Sequence, residues 1–182
     1  MEEIYQVEKK FRIVVTGPES TGKTELACQL AKHFEGIFIP EYAREYIVNL
    51  ARPYTYKDVE AIAREQVQRR EATSIQKNKW IFFDTDLIIT KVWFDEVFKK
   101  CPDWLLQKVE EPYMDLYLLC SPDIPWQHDP VRENGGERRE YLFLKYKDEL
   151  EKYNFSYSVI SGKGKKRLKN ALLSIENFLK GS

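Results

Sequence analysis

The amino-acid sequence predicts an α/β fold of three layers, with a parallel five-stranded sheet between two layers of helices. Five short apolar runs have the length of buried strands, and amphipathic helical patterns stand between them. Strands that alternate with helices in this way favour a parallel sheet covered on both faces. The 182 residues contain no internal repeat, low-complexity tract or linker, so we expect one domain, residues 1–182.

The composition excludes several functional classes. Lys+Arg and Asp+Glu both number 29, so no net charge recruits nucleic acid or an anionic membrane. The charged start, residues 1–10, differs from a signal peptide, and no apolar run has membrane-spanning length. The three cysteines lack metal-ligand spacing and are typical of reduced thiols. We expect a cytoplasmic protein without nucleic-acid or membrane partners, and a homo-oligomer stays open.

The first strand, Ile13 to Val15, leads into the motif G-x-x-x-x-G-K-[ST] at residues 17–24, and a helical pattern follows. This order of strand, loop and helix is typical of a P-loop, in which backbone N–H groups and the helix N-terminus bind phosphate. Lys23 is expected to reach the β/γ-phosphates and Thr24 to bind Mg²⁺. The sequence therefore predicts an ATP and Mg²⁺ site. The residues expected to bind the nucleotide are Gly17, Glu19, Ser20, Thr21, Gly22, Lys23, Thr24 and Glu25.

The second strand, residues 36–39, ends at Glu41 and Arg44. Open parallel sheets hold their ligands at the carboxyl ends of the strands. Glu41 could accept the proton of an attacking hydroxyl, and Arg44 could bind substrate or phosphate oxygens. The alternative is a weak surface ion pair. Further along, Thr55 and Asp58 predict a capping box that begins the next helix.

The third strand, Trp80 to Phe83, is followed directly by Asp84 and then by Asp86. A carboxylate at the position of Asp84 can hold Mg²⁺ in P-loop proteins. Asp86 is expected to point the same way if the strand geometry continues. The alternative for both is a cap for the next helix. That helix is predicted to run from Leu87 to Phe98, with another short helix at residues 104–109.

The fourth strand, residues 115–120, leads into an irregular stretch that contains Trp126. An indole between prolines could stack on a planar ring, and a cationic ring would gain further from the indole face. The alternative is that Trp126 plugs the loop onto the core.

Arginines flank the glycines that follow this stretch. Arg132 and Arg138 suit a helical lid, about residues 130–145, that stabilises charge during phosphate transfer. Arg139 is more simply interpreted as a solvated helix charge. After the helix at residues 137–153 and the fifth strand at 155–160, a basic run at residues 163–169 is expected to lie near the nucleotide base and to enter a helix with a solvated basic face.

Four segments, residues 17–24, 40–46, 84–93 and 116–126, together resemble the NadR-type nicotinamide riboside kinases. The resemblance implies a P-loop, nucleoside-kinase-like fold and transfer of the ATP γ-phosphate to the 5′-hydroxyl of nicotinamide riboside. It also gives Trp126 a flat, positively charged partner ring. NadR-type proteins often carry an adenylyltransferase domain before the kinase, and the resemblance implies that this chain would correspond to the kinase half. Pro130 stands where the family leads us to expect glycine.

The sequence thus predicts a kinase for a small nucleoside substrate. The expected catalytic residues are Lys23, Glu41, Asp84, Arg132 and Arg138. The expected substrate-binding residues are Glu41, Arg44, Asp86 and Trp126, and Thr24 and Asp84 are expected to bind the metal. Two alternatives stay open: a P-loop kinase for another nucleoside-like molecule, and a nucleotide-binding regulatory ATPase with no phosphate acceptor.

Overall fold

The computed structural model describes residues 9–126 and 136–181. Its strands are β1 (Phe11–Thr16), β2 (Ile37–Ile39), β3 (Trp80–Asp84), β4 (Leu116–Cys120) and β5 (Tyr157–Ile160). Its α-helices are α1 (Lys23–His33), α2 (Tyr42–Val48), α3 (Tyr56–Ala72), α4 (Leu87–Trp93), α5 (Asp103–Glu110), α6 (Glu137–Lys152) and α7 (Lys165–Lys180). The five strands form one parallel sheet in the order β2-β3-β1-β4-β5, which confirms the predicted fold class.

Strand β1 lies at the centre of the sheet and supplies both of its hydrophobic faces. Ile13 pairs with β3 on one side and β4 on the other. Ile13 and Val15 belong to the core formed with α1 and α7. Val14 belongs to the core formed with α3 to α6. A strand covered on both faces needs apolar residues at consecutive positions, which explains the uninterrupted run in the sequence.

The helix predicted from Leu87 to Phe98 changes character part-way. After α4 the chain widens into a π-helical turn, Phe94–Phe98, which ends at Lys99 in the left-handed region with φ 54°. The rings of Phe94 and Phe98 both contact Tyr56, at centroid distances of 4.9 and 5.3 Å. This aromatic packing between distant residues accompanies the wider turn. The π-helical turn cannot be predicted from a 3.6-residue period in the sequence.

Asp58 fixes the loop between α2 and α3. The predicted capping box with Thr55 is confirmed, and the Thr55 amide and hydroxyl both lie 2.7 Å from Asp58 Oδ2. Two further donors reach the same carboxylate: the Tyr46 hydroxyl at 3.0 Å and the Arg52 guanidinium at 2.7 Å. One buried side chain therefore joins the end of α2, the loop and the start of α3.

We expect Asp58→Asn to lower the melting temperature at pH 7. Hydrogen bonds from Arg52 and Thr55 hold the pKa of Asp58 well below its usual value of 3.8. A depressed carboxyl pKa contributes stability above the unfolded-state pKa, and this stability is lost as the pH falls towards the folded-state value. The difference in melting temperature between the variant and the wild type should thus become smaller below about pH 3.8. Thermal unfolding followed by circular dichroism tests this prediction, and Asp148→Asn, at an exposed position, is the control. An equal decrease in melting temperature in both variants would contradict it.

Within residues 9–126 and 136–181, no helix combines the length and the apolar character needed to cross a membrane.

Candidate active site

A large cavity of about 1140 Å³ opens at the carboxyl ends of the central strands. Gly17 and residues 19–25 line one side of it, and residues of α2, α3, α4 and α6 line the others. The neighbouring strands β1 and β3 send their following helices, α1 and α4, to opposite faces of the sheet. Ligands of open α/β sheets bind in the crevice at such a switch point.

The P-loop predicted from the sequence is curled against the start of α1. Gly17 and Gly22 have positive φ angles of 139° and 73°. A Cβ atom at Gly17 would meet the Cys120 carbonyl oxygen at 2.7 Å, so the position requires glycine. The Lys23 ammonium and the Thr21 hydroxyl each donate to the Pro18 carbonyl, both at 2.8 Å. The loop therefore has the tight turn and the helix N-terminus that phosphate binding needs.

Thr24 and Asp84 form a pair that fits a magnesium ion. The Thr24 hydroxyl donates to Asp84 Oδ2 at 2.5 Å. Asp84 is buried, and its other oxygen, Oδ1, has no hydrogen-bond partner among the described residues. Burial raises the pKa of Asp84, while Thr24 and Lys23 lower it. An unsatisfied carboxylate oxygen beside a hydroxyl suits a hard cation that takes its remaining ligands from phosphate and water.

No cluster of three or more His, Cys, Asp or Glu side chains in the described part of the chain could hold a metal by itself. A magnesium ion at Thr24 and Asp84 would thus depend on a bound phosphate for its coordination.

The strand geometry on which the expectation for Asp86 depends does not continue beyond Asp84. Thr85, between them, has a φ of 69°, which breaks the alternation of an extended strand. Asp86 is 7% exposed, accepts a hydrogen bond from the Tyr117 hydroxyl at 2.9 Å and occupies the N-cap position of α4. Asp84 and Asp86 both line a small neighbouring cavity of about 20 Å³, and neither belongs to the lining of the large cavity. These contacts support a structural role for Asp86 at the start of α4, and its role in binding the substrate stays a prediction.

Glu41 and Arg44 both line the large cavity, as expected for the end of β2. Burial raises the pKa of Glu41, the positive charge of Lys23 acts against this rise, and the charge of Asp84 adds to it. A carboxylate with these neighbours takes up a proton more readily than an exposed glutamate. Glu41 is thus suited to accept a proton from a hydroxyl group that enters the cavity.

Trp93 and Tyr54 form an aromatic wall of the cavity that we did not predict from the sequence. Their rings meet edge to face at a centroid distance of 4.9 Å, and both residues line the cavity. Trp126, the tryptophan chosen from the sequence, is 37% exposed and is absent from the described lining. The loop before α3 meets the end of α4 here although 39 residues separate Tyr54 from Trp93, a proximity that only the tertiary structure reveals.

A polar pair, Gln66 and Thr90, lies beside this wall. The Thr90 hydroxyl donates to Gln66 Oε1 at 2.6 Å, and both residues line the cavity. Thr90 and Trp93 stand three positions apart on α4, so they share one helix face. That face offers an aromatic surface together with hydrogen-bonding groups, a combination found in sites for small planar ligands.

Helix α6 brings two of the predicted arginines to different places. Arg138 lines the cavity and donates to Glu96 at 2.7 Å. Arg139, interpreted as a solvated charge, is instead 5% exposed and donates to the carbonyls of Glu19 and Ser20. The interpretation was wrong because a charged helix pattern does not show which neighbour the helix packs against. Arg132 and the first part of the predicted lid lie outside the described residues.

The basic run after β5 also contains a buried member. Lys163, Lys165, Lys166 and Lys169 are exposed, in agreement with a solvated face. Arg167 is 3% exposed and donates to the Thr21 carbonyl. This part of the interpretation was wrong for the same reason as for Arg139.

A family model described as an AAA domain matches residues 12–167. The chain belongs to this family. Among its relatives, the trifunctional NAD biosynthesis/regulator protein NadR of Escherichia coli (strain K12) is 27% identical over 138 residues, which are 72% of this chain and 34% of that protein. This AAA-domain chain spans about a third of the length of that relative. The predicted resemblance to NadR-type proteins is confirmed.

Solved structures show the same fold for this AAA-domain chain. A crystal structure of NadR protein in complex with NR has a TM-score of 0.70 at 23% identity, with 94% of this chain and 51% of that chain covered. A thymidylate kinase from Ehrlichia chaffeensis has a TM-score of 0.62 at 14% identity, with 92% and 99% covered. The fold is thus the nucleotide-binding P-loop fold of nucleoside and nucleotide kinases.

Proposed function

We propose that the chain is a kinase domain that transfers the γ-phosphate of ATP to the 5′-hydroxyl of nicotinamide riboside. The observation that carries this proposal is one cavity in which the P-loop, the half-buried carboxyl group of Glu41 and an aromatic wall lie together. The resemblance to NadR supports nicotinamide riboside as the acceptor. A regulatory ATPase without an acceptor would have no use for the wall formed by Trp93 and Tyr54.

The nucleotide end of the site consists of the P-loop, Lys23, Thr24 and Asp84. Lys23 would bind the β/γ-phosphates, and Thr24 with Asp84 would hold Mg²⁺, which supplies charge neutralisation at the phosphates when bound. Arg44 and Arg138 line the same cavity and would stabilise the negative charge that spreads over the transferred group. Arg132 keeps its predicted role as a further arginine for this purpose.

At the acceptor end, Glu41 would orient the hydroxyl and take its proton. The hydroxyl oxygen forms a bond to the γ-phosphorus, the bond from that phosphorus to the β–γ bridging oxygen breaks, and ADP leaves with the electron pair. The proton remains on Glu41 until solvent removes it. Because the transition state carries little covalent contribution from the protein, positioning by these residues accounts for most of the catalysis.

The planar part of the acceptor would lie against Trp93. A nicotinamide ring attached to ribose is flat and cationic, and an indole face attracts such a ring. The amide of Gln66 accepts a hydrogen bond from Thr90, lies beside this wall and would bind polar groups of the acceptor.

The test is a comparison of two tryptophan variants in a phosphotransfer assay with ATP and a panel of nucleosides. Trp93→Ala should raise the KM for the acceptor about 5–30-fold, which corresponds to about 1–2 kcal/mol of ring contact. The KM for ATP should change little, because Trp93 belongs to the aromatic wall on α4 and is not part of the P-loop. Trp126→Ala is the control and should leave both values near wild type.

Three results would contradict parts of the proposal. Hydrolysis of ATP that no nucleoside accelerates would favour the regulatory ATPase. An acceptor KM that rises in Trp126→Ala and stays constant in Trp93→Ala would move the ring to the loop after β4. Preference for a different nucleoside in the panel would assign the chain to another P-loop kinase.

A further inference from the structure

Each backbone carbonyl of the P-loop from Pro18 to Gly22 accepts a hydrogen bond. The Pro18 carbonyl accepts from Thr21 and Lys23 within the loop, and the Gly22 carbonyl accepts from the Leu26 amide in α1. The three carbonyls between them belong to Glu19, Ser20 and Thr21. All three accept from arginines that come from elsewhere in the chain.

Arg139 holds the first two of these carbonyls from α6. Its Nε and Nη2 atoms lie 3.1 Å from the carbonyl oxygens of Glu19 and Ser20, respectively. Ser20 has a φ of 55°, in the left-handed region that a residue with a side chain rarely adopts. A two-pronged contact on both sides of this residue stabilises the strained turn against relaxation.

Arg167 holds the third carbonyl from α7. Its Nη1 atom lies 2.5 Å from the Thr21 oxygen, and its Nε atom lies 2.6 Å from the Gly162 oxygen. Its remaining nitrogen, Nη2, donates to the Ser121 carbonyl and to the Asp123 carboxylate. The P-loop is thereby joined to the segments that follow β4 and β5.

In a trans peptide the C=O group and the following N–H group point in opposite directions. Arginines that hold the carbonyls of residues 19, 20 and 21 consequently orient the N–H groups of residues 20, 21 and 22 towards the other side of the loop. We propose that Arg139 and Arg167 are positioning residues that keep the P-loop in its phosphate-binding conformation before a nucleotide arrives. This proposal rests on the proposed function only in requiring that the loop binds a triphosphate.

The experiment measures binding of the non-hydrolysable analogue AMP-PNP with Mg²⁺ in the absence of any acceptor. Arg139→Ala should weaken binding about 10–100-fold, because two charge-assisted hydrogen bonds to the loop are lost. Added guanidinium ion should restore part of the affinity, and Arg139→Lys should lie between the variant and wild type. The control Lys152→Ala, an exposed residue of the same helix, should bind as wild type does.

A second measurement separates positioning from direct contact with phosphate. Hydrogen exchange of the amides at residues 20–22 in the nucleotide-free protein should be faster in Arg139→Ala than in the control. Weakened binding with unchanged exchange would overturn the proposal and make Arg139 a direct phosphate ligand. Unchanged binding would overturn it as well.

Arg167 is tested through Asp123→Asn, a milder change at the carboxylate that Arg167 contacts, together with Arg167→Lys. Both should weaken AMP-PNP binding while the melting temperature shows a folded protein, and Lys169→Ala on the same helix should not. If both bind normally, Arg167 has no positioning role. A wild-type protein that binds AMP-PNP but phosphorylates no nucleoside would contradict the proposed function and leave this inference intact.

Discussion

Replacing Lys23 with alanine should lower the rate of phosphoryl transfer by about 10²–10³-fold at saturating ATP and acceptor, the range seen when one preorganised charge-stabilising group is removed. Lys23 lines the cavity at the start of α1, and its ammonium group lies 2.8 Å from the Pro18 carbonyl. From this place it would meet charge that develops on the β/γ-phosphates. A coupled assay for ADP release measures the effect.

The matched control for this prediction is Lys32→Ala, an exposed lysine in the last turn of the same helix. It removes the same charge from α1 without touching the cavity and should keep wild-type activity. If Lys23→Ala retained more than half of the wild-type rate, residues 17–24 would not be the site of phosphate transfer.

Glu41→Gln should reduce kcat by about 10²–10⁴-fold, the range for removal of a general base. The base acts in its unprotonated form, so the rate should rise with pH as Glu41 loses its proton. Burial raises the pKa of Glu41, and this rising limb should therefore lie above pH 4.5, the ordinary value for a glutamic acid. A pH profile of kcat in wild type and variant measures both effects.

Glu45→Gln is the control, since this exposed residue lies on α2 but not in the cavity lining. It should keep both the rate and the pH profile. A variant Glu41→Gln that lost activity but kept the same rising limb would show that another carboxyl group titrates, and Asp84 would then be the next residue to examine.

The features predicted correctly from the sequence are those written in consecutive residues. The P-loop is specified by eight positions whose roles follow from local backbone geometry. The location of Asp84 could be predicted because it follows a buried strand, and the carboxyl ends of parallel strands lie at the same edge of the sheet. Asp58 could be recognised as a capping residue because its partner, Thr55, is three residues away.

The features that were missed depend on contacts between distant segments. Arg139 lies 120 residues from Glu19, and Arg167 lies 146 residues from Thr21. The sequence around each arginine has the charge pattern of a solvent-exposed helix, and only the packing of the helices shows that these two side chains are buried. The role of Trp93 was not predicted either, because an aromatic residue on an apolar helix is usually part of the core.

The direction of Asp86 could not be predicted for a different reason, which is the backbone conformation of a single residue, Thr85. Alternation along a strand holds only while the strand stays extended, and Thr85 leaves that region. A left-handed conformation costs a β-branched residue about 1–3 kcal/mol. The conformation of Thr85 thus lowers the stability of the native state, and it allows Asp84 and Asp86 to contact different neighbours. Asp84 accepts a hydrogen bond from Thr24 beside the P-loop, and Asp86 accepts one from Tyr117 on β4. A substitution that relieved the strain at Thr85 would therefore also displace both carboxylates.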